Sequence, residues 1–133
     1  MVYKIIGLTG PSGSGKSSLL YLLSGLKTPS CGTVYYDDVD IAAFSSPEKA
    51  NIRKTRFGFI FQRHFLIDYL SVLDNVLSVI NSNTDKDKEK AMELLTKLKI
   101  SHLSKKKPYQ LSNGQRQKAA IARALINNPE VIF

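Results

Sequence analysis

The nine residues Gly10-Pro11-Ser12-Gly13-Ser14-Gly15-Lys16-Ser17-Ser18 limit what this chain can fold into more than any other stretch. They follow an apolar run, Tyr3 to Thr9, and precede Ser17 to Leu26, whose leucines recur at helical spacing. Strand, glycine-rich loop and helix in that order form the context of a phosphate-binding P-loop. Glycines at 10, 13 and 15 let the backbone curl so that successive N–H groups face inward, a turn a Cβ would obstruct. The helix is expected to begin at Lys16 or Ser17 and to add its unpaired N–H groups and the positive end of its dipole. In such a loop Lys16 reaches the β- and γ-phosphates as a point charge, and the Ser17 hydroxyl ligates Mg²⁺. A flexible Gly/Ser linker would not explain Lys-Ser directly after the last glycine, or the patterned segments on both sides.

Tyr3 to Thr9 is nearly continuous in apolar residues, as in a strand buried within a parallel sheet. The first helix carries Leu19, Leu22, Leu23 and Leu26 on its buried side, with a natural stop near Gly25. Thr33 to Tyr36 and Val39 to Ile41 read as a hairpin across Asp37-Asp38. Its paired tyrosines, Tyr35 and Tyr36, follow from strand propensity more simply than from base stacking. Pro47 to Thr55 is helix or loop, and Phe57 to Phe61 is a buried strand ending at Gln62. A polar residue at the C-terminal end of a parallel strand is where open α/β sheets place ligand contacts.

From Arg63 onward the pattern is helical, with Val72, Leu73, Val76, Leu77 and Ile80 at spacings of three and four. Asn81 to Asp87 is a polar loop, and Ala91, Leu94, Leu95 and Leu98 form the stripe of a second amphipathic helix. Lys105 to Pro108 closes this stretch. Leu111-Ser112-Asn113-Gly114-Gln115 leads into a third helix, Gln115 to Ile126, for which Ser112 is a suitable N-cap. Its Ala119, Ala122, Ala124 and Leu125 permit close packing. Pro129 ends that helix, and Glu130 to Phe133 opens another strand.

The formal net charge of +8 raises the question of nucleic acid. Lysines cluster at 86, 88 and 90, at 97 and 99, and at 105 to 107, with Asp85, Asp87, Glu89 and Glu93 mixed into the first group. Without aromatic interleaving or a zinc-finger or RNA-binding signature, a solvated face, or one near anionic headgroups, is the better reading. The single cysteine, Cys31, rules out an intrachain disulfide, fits a reducing compartment and reads as an incidental thiol. Met1 leads straight into the apolar run, with no secretory pattern. The apolar cluster Leu19 to Leu26 is interrupted by Ser24 and Gly25 and is far too short to span a bilayer, so a membrane would have to be reached through a partner.

Together these residues resemble the nucleotide-binding domains of ATP-binding cassette (ABC) transporters. Gly10 to Ser17 matches the Walker A motif, and Gln62 after a Phe-rich strand matches the Q-loop. Leu111-Ser112-Asn113-Gly114-Gln115 resembles the family signature, normally Leu-Ser-Gly-Gly-Gln, and Gln115 to Leu125 is similar to the helix that follows it. Phe57 to Gln62 with Val72-Leu73-Asp74-Asn75-Val76 is similar to the subfamily exporting lipoproteins, macrolides or antimicrobial peptides. Asn113 stands where the family has glycine, and the turn is expected to survive because Asn tolerates positive φ better than most residues. Lys118 stands where arginine is commoner, keeping the charge without the planar fork.

The resemblance implies an α/β fold, a partial RecA-like P-loop core sheet with a small helical subdomain. It divides the chain into a P-loop core part (1–62), a helical subdomain (63–110) and the signature helix with the start of the Walker B strand (111–133). It implies ATP and Mg²⁺ as cofactors, with Ser17 and Gln62 at the metal and Lys16 and Gln62 in catalysis. Two such domains pair head to tail, each nucleotide enclosed by the P-loop of one and by Ser112, Asn113, Gly114 and Gln115 of the other. A transmembrane permease would hold the pair at the inner face of the cell membrane, on its cytoplasmic side.

The family also has residues that this sequence does not include: an adenine-stacking aromatic ahead of the Walker A strand and, after Phe133, the Walker B aspartate, a catalytic glutamate and a switch histidine. Tyr3 reads as strand core, and His64 and His102 sit outside the switch context. The sequence is therefore expected to be an internal fragment of such a domain, with some sheet edges unpaired. Three functions follow as expectations. The chain is the ATP-binding and hydrolysing subunit of an exporter, a nucleotide-binding module without turnover, or a soluble cassette protein acting on ribosomes or DNA.

Overall fold

The computed structural model describes residues 4–80 and 84–133, and the chain divides into two compact units, Met1–Lys49 and Ala50–Phe133. Tyr3, and residues 81–83 of the expected polar loop, lie outside the described residues.

In the first unit helix α1 (Lys16–Leu23) begins where the loop predicts. It ends in a Schellman motif: Gly25, at φ 66°, donates to the Leu22 carbonyl at 3.1 Å, and the Leu26 N–H donates to Tyr21 at 2.9 Å. Strands β1 (Tyr35–Tyr36) and β2 (Val39–Asp40) pair antiparallel, Tyr35 opposite Asp40 and Tyr36 opposite Val39. Asp37 and Asp38 between them have φ of 47° and 62°. Two left-handed residues in a two-residue loop are the I′ geometry that matches strand twist. Asp40 then caps a 3₁₀ turn, Ile41–Ala43, accepting from the Ala42 N–H at 2.8 Å. Ser45 and Glu48 cap one another at the start of α2 (Ser46–Thr55), the helix within which the division into units falls.

Two expectations fail in this unit. Residues 4–9 do not form the expected strand: none joins a ladder among the described residues, and Ile5 is 99% exposed. An apolar run becomes a central strand only when chains pair on both sides of it. The expected apolar face of α1 is likewise not buried: Leu19, Leu23 and Leu26 are exposed and Leu22 is half-buried. The buried residue of this turn is Ser24, whose hydroxyl donates to the Tyr21 carbonyl at 3.3 Å.

The second unit has a closed core. Strands β3 (Phe57–Gly58) and β4 (Val131–Ile132) pair in parallel, Phe57 opposite Val131 and Gly58 opposite Ile132. The bonding continues where the Ile60 N–H donates to Phe133 at 2.9 Å. Gly58 is required by packing, because a Cβ there would stand 2.8 Å from the Ala124 carbonyl oxygen. The rings of Phe57 and Phe59 pack on Phe133 with centroids at 5.3 and 5.7 Å.

Helices α3 (Val72–Leu77), α4 (Asp85–Lys97) and α5 (Asn113–Leu125) pack against one another. Val72, Val76, Leu77, Ala91, Leu95, Ile100, Leu111, Ala119, Ala122 and Ile126 form one cluster. The small side chains of α5 at 119, 120, 122 and 124 are all buried, which lets its neighbours approach closely. Leu95 is fully buried, a contribution of about 1.5–3 kcal/mol.

Several boundaries differ from expectation. Strand β3 covers Phe57–Gly58 rather than the expected 57–61, and Phe59, Ile60 and Phe61 are half-buried, because the partner strand β4 pairs along two residues only. The helical pattern read from Arg63 begins only at Val72, because residues 63–71 form an irregular segment held by Asn75. The fully buried Asn75 accepts from the Ile67 N–H at 2.7 Å and donates to the carbonyls of Ile67, Leu70 and Ser71 at 3.0–3.2 Å. Asp85 to Asp87 belong to α4 rather than to the polar loop, since Thr84 and Asp87 make a capping box and acids favour a helix N-terminus. Helix α5 starts at Asn113, two residues before Gln115, with Ser112 as its cap.

Candidate nucleotide site and signature turn

The loop before α1 is wound around its own lysine. Lys16 Nζ donates to the carbonyl oxygens of Gly10 at 2.8 Å and Pro11 at 2.6 Å, and to Ser14 Oγ at 3.2 Å. The Ser14 N–H returns to the Pro11 carbonyl at 3.3 Å. Gly10, Gly13 and Gly15 have φ of 153°, 79° and 86°, so the curl rests on positive φ at three glycines. At Gly10 the φ of 153° favours glycine, and an added Cβ would also stand 2.9 Å from Ser14 Oγ and displace that hydroxyl.

Gly15 is the N-cap of α1 and supplies no side-chain acceptor. The first-turn N–H groups of Lys16, Ser17 and Ser18 therefore meet no cap side chain and keep the positive end of the dipole available to an anion. A mobile ammonium bound to main-chain oxygens can be drawn off by phosphate, which offers it stronger charge-assisted bonds. This loop fits a phosphate chain. Among the described residues no group of three or more His, Cys, Asp or Glu side chains could hold a metal ion by itself. A divalent ion here would arrive with the phosphates and take the Ser17 hydroxyl as its protein ligand.

In the second unit Gln62 is exposed, and it lies four residues past the end of β3 rather than directly at a strand end. Ser112 and Gln115 form a capping box: Gln115 Oε1 accepts from the Ser112 N–H at 2.8 Å, and Ser112 Oγ accepts from the Gln115 N–H at 3.3 Å. As a cap Ser112 uses an acceptor lone pair, which leaves its hydroxyl proton to donate. Gly114 lies in the open first turn, where an added Cβ would meet nothing within 4 Å. Packing within the chain thus gives no reason for glycine there. Asn113 does not need the positive φ expected of it, for it is the first residue of α5 and lies outside the positive-φ set.

Sequence reasoning missed three residues that organise this region. His64 Nε2 lies 3.1 Å from Asn113 Oδ1, and its buried Nδ1 has no partner. Arg123 donates from Nη1 to the Phe65 carbonyl at 2.6 Å and from Nη2 to the His64 carbonyl at 2.8 Å. Burial lowers the Arg123 pKa, yet the guanidinium remains charged. Asn75 is the third, and a polar residue among the apolar positions of a helix was the available signal. A cleft of about 380 Å³ over Phe57, Phe59, Phe61 and Arg123 contains none of the expected site residues.

A lysine-wrapped loop feeding an uncapped helix, in a mixed α/β chain with a parallel strand pair, defines the P-loop nucleotide-binding class. The ABC transporter family model matches residues 3–133, and the chain belongs to that family. It is 44% identical over 129 residues to the lipoprotein-releasing system ATP-binding protein LolD of Buchnera aphidicola, covering 95% of this chain and 56% of that protein. It is 41% identical over 133 residues to the macrolide export ATP-binding/permease protein MacB of Campylobacter jejuni, covering 98% of this chain and 21% of that one. The chain thus spans about half the length of LolD. Among solved structures, the dimeric post-hydrolysis state of the ATP-binding cassette MJ0796 bound to ADP and Pi is similar at TM-score 0.83 and 37% identity, over 92% of this chain and 56% of that one. The family, the α/β fold class and the likeness to exporter cassettes expected from the sequence are thereby borne out. None of the described helices is long and apolar enough to cross a membrane.

Proposed function

We propose that this chain carries the MgATP-binding face of the ATP-binding subunit of an ABC exporter. The observation that carries this reading is the loop wound on Lys16, whose Nζ holds three loop oxygens within 3.2 Å. In this reading the backbone of Gly10, Pro11, Ser12, Gly13, Ser14 and Gly15 wraps the β-phosphate. Lys16 exchanges its carbonyl partners for β- and γ-phosphate oxygens, and the N–H groups of Ser17 and Ser18 complete the cradle. Mg²⁺ bound with the nucleotide neutralises phosphate charge. The Ser17 hydroxyl would hold it, and Gln62 would contact either the Mg²⁺ or the attacking water. Lys16 draws off charge as it develops on the phosphoryl oxygens.

The second face is the signature turn. The Ser112 hydroxyl and the unobstructed N–H of Gly114, flanked by Asn113 and Gln115 at the positive end of the helix dipole, meet the γ-phosphate bound by another cassette, in a head-to-tail pair. The open space over Gly114 supports this, as does the likeness to a dimeric cassette. Nucleotide then acts between two surfaces that separate after hydrolysis. Residues 1–62 serve as the P-loop core, 63–110 as the helical subdomain and 111–133 as the signature helix leading into the Walker B strand. A transmembrane permease is the partner that keeps the pair on the cytoplasmic face of the membrane. The likeness to MacB, whose name joins the ATP-binding and permease roles, supports that pairing.

Calorimetric titration of MgATP tests the reading. Wild-type protein is expected to bind, and Lys16→Ala to lose binding beyond detection. Equal affinity in the two would overturn the assignment.

A further inference from the structure

Among the described residues, the hydrogen bonds that tie residues 64–65 to distant sequence end on one helix. The His64 imidazole meets Asn113 at the first residue of α5, while the carbonyls of His64 and Phe65 meet Arg123 near its last turn. Ten residues of helix rise about 15 Å, so the segment leaving Gln62 is attached to α5 at two separate points. Between them Phe65 is held at φ 46°, a left-handed conformation that a bulky residue adopts only under constraint. Because Oδ1 of Asn113 only accepts, His64 donates from Nε2, leaving Nδ1 as a buried lone pair.

We propose that His64, Asn113 and Arg123 form a latch that fixes the segment leaving Gln62 to the signature turn of the same chain. Residues facing each nucleotide's hydrolytic water and residues facing the neighbouring cassette then move as one body. Asn113 is a positioning residue here: its side chain, in place of the family glycine, supplies the acceptor that His64 needs. His64 is the second positioning residue, and Arg123 is the fixed anchor. The role in coupling rests on the function proposed above, whereas the latch itself stands on these contacts.

Nuclear magnetic resonance on the whole protein without nucleotide tests the latch. Wild-type His64 is expected as a single Nε2–H tautomer, and Asn113→Gly is expected to convert it to a tautomer mixture. Exchange of the Gln115 and Arg116 amides should quicken about threefold to tenfold in His64→Ala, the loss of one hydrogen bond. The double variant should show no further change. His64→Gln, which retains a donor near Nε2, should restore most of the protection. An unchanged His64 spectrum in Asn113→Gly, or additive effects in the double variant, would overturn the latch. MgATP added to the same samples separates the two proposals. Failure to shift Gly13 to Ser17 in the wild type counts against the function. Shifts there that reach Gln115 equally in wild type and His64→Ala count against the coupling.

Discussion

In the second unit Val72, Val76, Leu95 and Ile126 lie at or near zero exposure, whereas in the first Ile5, Leu19, Leu23 and Leu26 face outward. The sequence patterns are equally apolar. What differs is the surface each face meets. Three amphipathic helices in the second unit turn their stripes toward one another, and four alanines on α5 let them close. In the first unit, order comes from short-range polar devices instead: Lys16 in its loop, the Schellman turn at Gly25, the I′ turn at Asp37-Asp38 and the Ser45–Glu48 box. Periodicity reports that a face exists. Burial depends on a second face.

That contrast breaks most readily at the leucines. Leu95→Ala is expected to cost about 3–5 kcal/mol of local stability, the range for a buried leucine in a close-packed core. Leu23→Ala, from a residue 39% exposed, should cost less than about 1 kcal/mol. Hydrogen exchange of the α4 and α1 amides in the two variants would measure both. Equal costs would mean that α1 has a covered face after all. Next in size is Asn75→Ala. It removes the Asn75 side-chain partner of the Ile67 N–H and the Leu70 carbonyl, while the Ile67 and Ser71 carbonyls keep the backbone N–H groups of Leu70 and of residue 75, so the loss should be about 3 kcal/mol, with exchange rising first at the Ile67 amide. A loss below about 1 kcal/mol would show that water replaces the amide.

The fold was legible wherever a signal is local. Gly10 to Ser18, the Asp37-Asp38 turn and the Gly25 stop could all be read from residue type and spacing, because dihedral preference and capping act within a few residues. The strand expected at Tyr3 to Thr9 was not, since a strand is defined by chains beside it. The start of α3 was misplaced by nine residues because the Asn75 amide bonds backbone groups four to eight residues upstream, a side-chain competition that residue spacing does not display and that outweighs helical pattern at 63–71. In the candidate site, the loop Gly10 to Ser17 and the turn Leu111 to Gln115 were legible as motifs. His64 and Arg123 were not, because they act through contacts 49 to 59 residues apart.

The two helix N-termini sharpen the contrast further. Helix α1 starts at a glycine without a side-chain cap, as suits a loop that binds an anion, while α5 starts at a reciprocal box. Ser112→Ala should therefore cost about 1 kcal/mol in the opening of the first turn of α5, read from exchange at Gln115 and Arg116. If that turn exchanged at the wild-type rate, Ser112 would not be acting as a cap.

The smallest effect is a response to acid confined to the first unit. Glu48 accepts from the Ser45 N–H at 2.7 Å and from the Ser45 hydroxyl at 2.6 Å. The hydroxyl bond, then the backbone bond, holds its pKa below the ordinary 4.5, with slight desolvation acting the other way. A folded pKa below the unfolded value means that the bond contributes fully above about pH 4.5 and that this contribution is lost as pH falls through the folded value. Carboxyl-carbon resonance of Glu48, followed through an acid titration, should have its midpoint below 4.5. The Ser45 amide should shift with the same midpoint, and Glu48→Gln should abolish that shift while keeping an acceptor. Core residues of the second unit, where no carboxylate is buried among the described residues, should not follow this titration. A midpoint at or above 4.5, or an equal response at Leu95, would remove the distinction between a unit ordered by polar contacts and one ordered by its core.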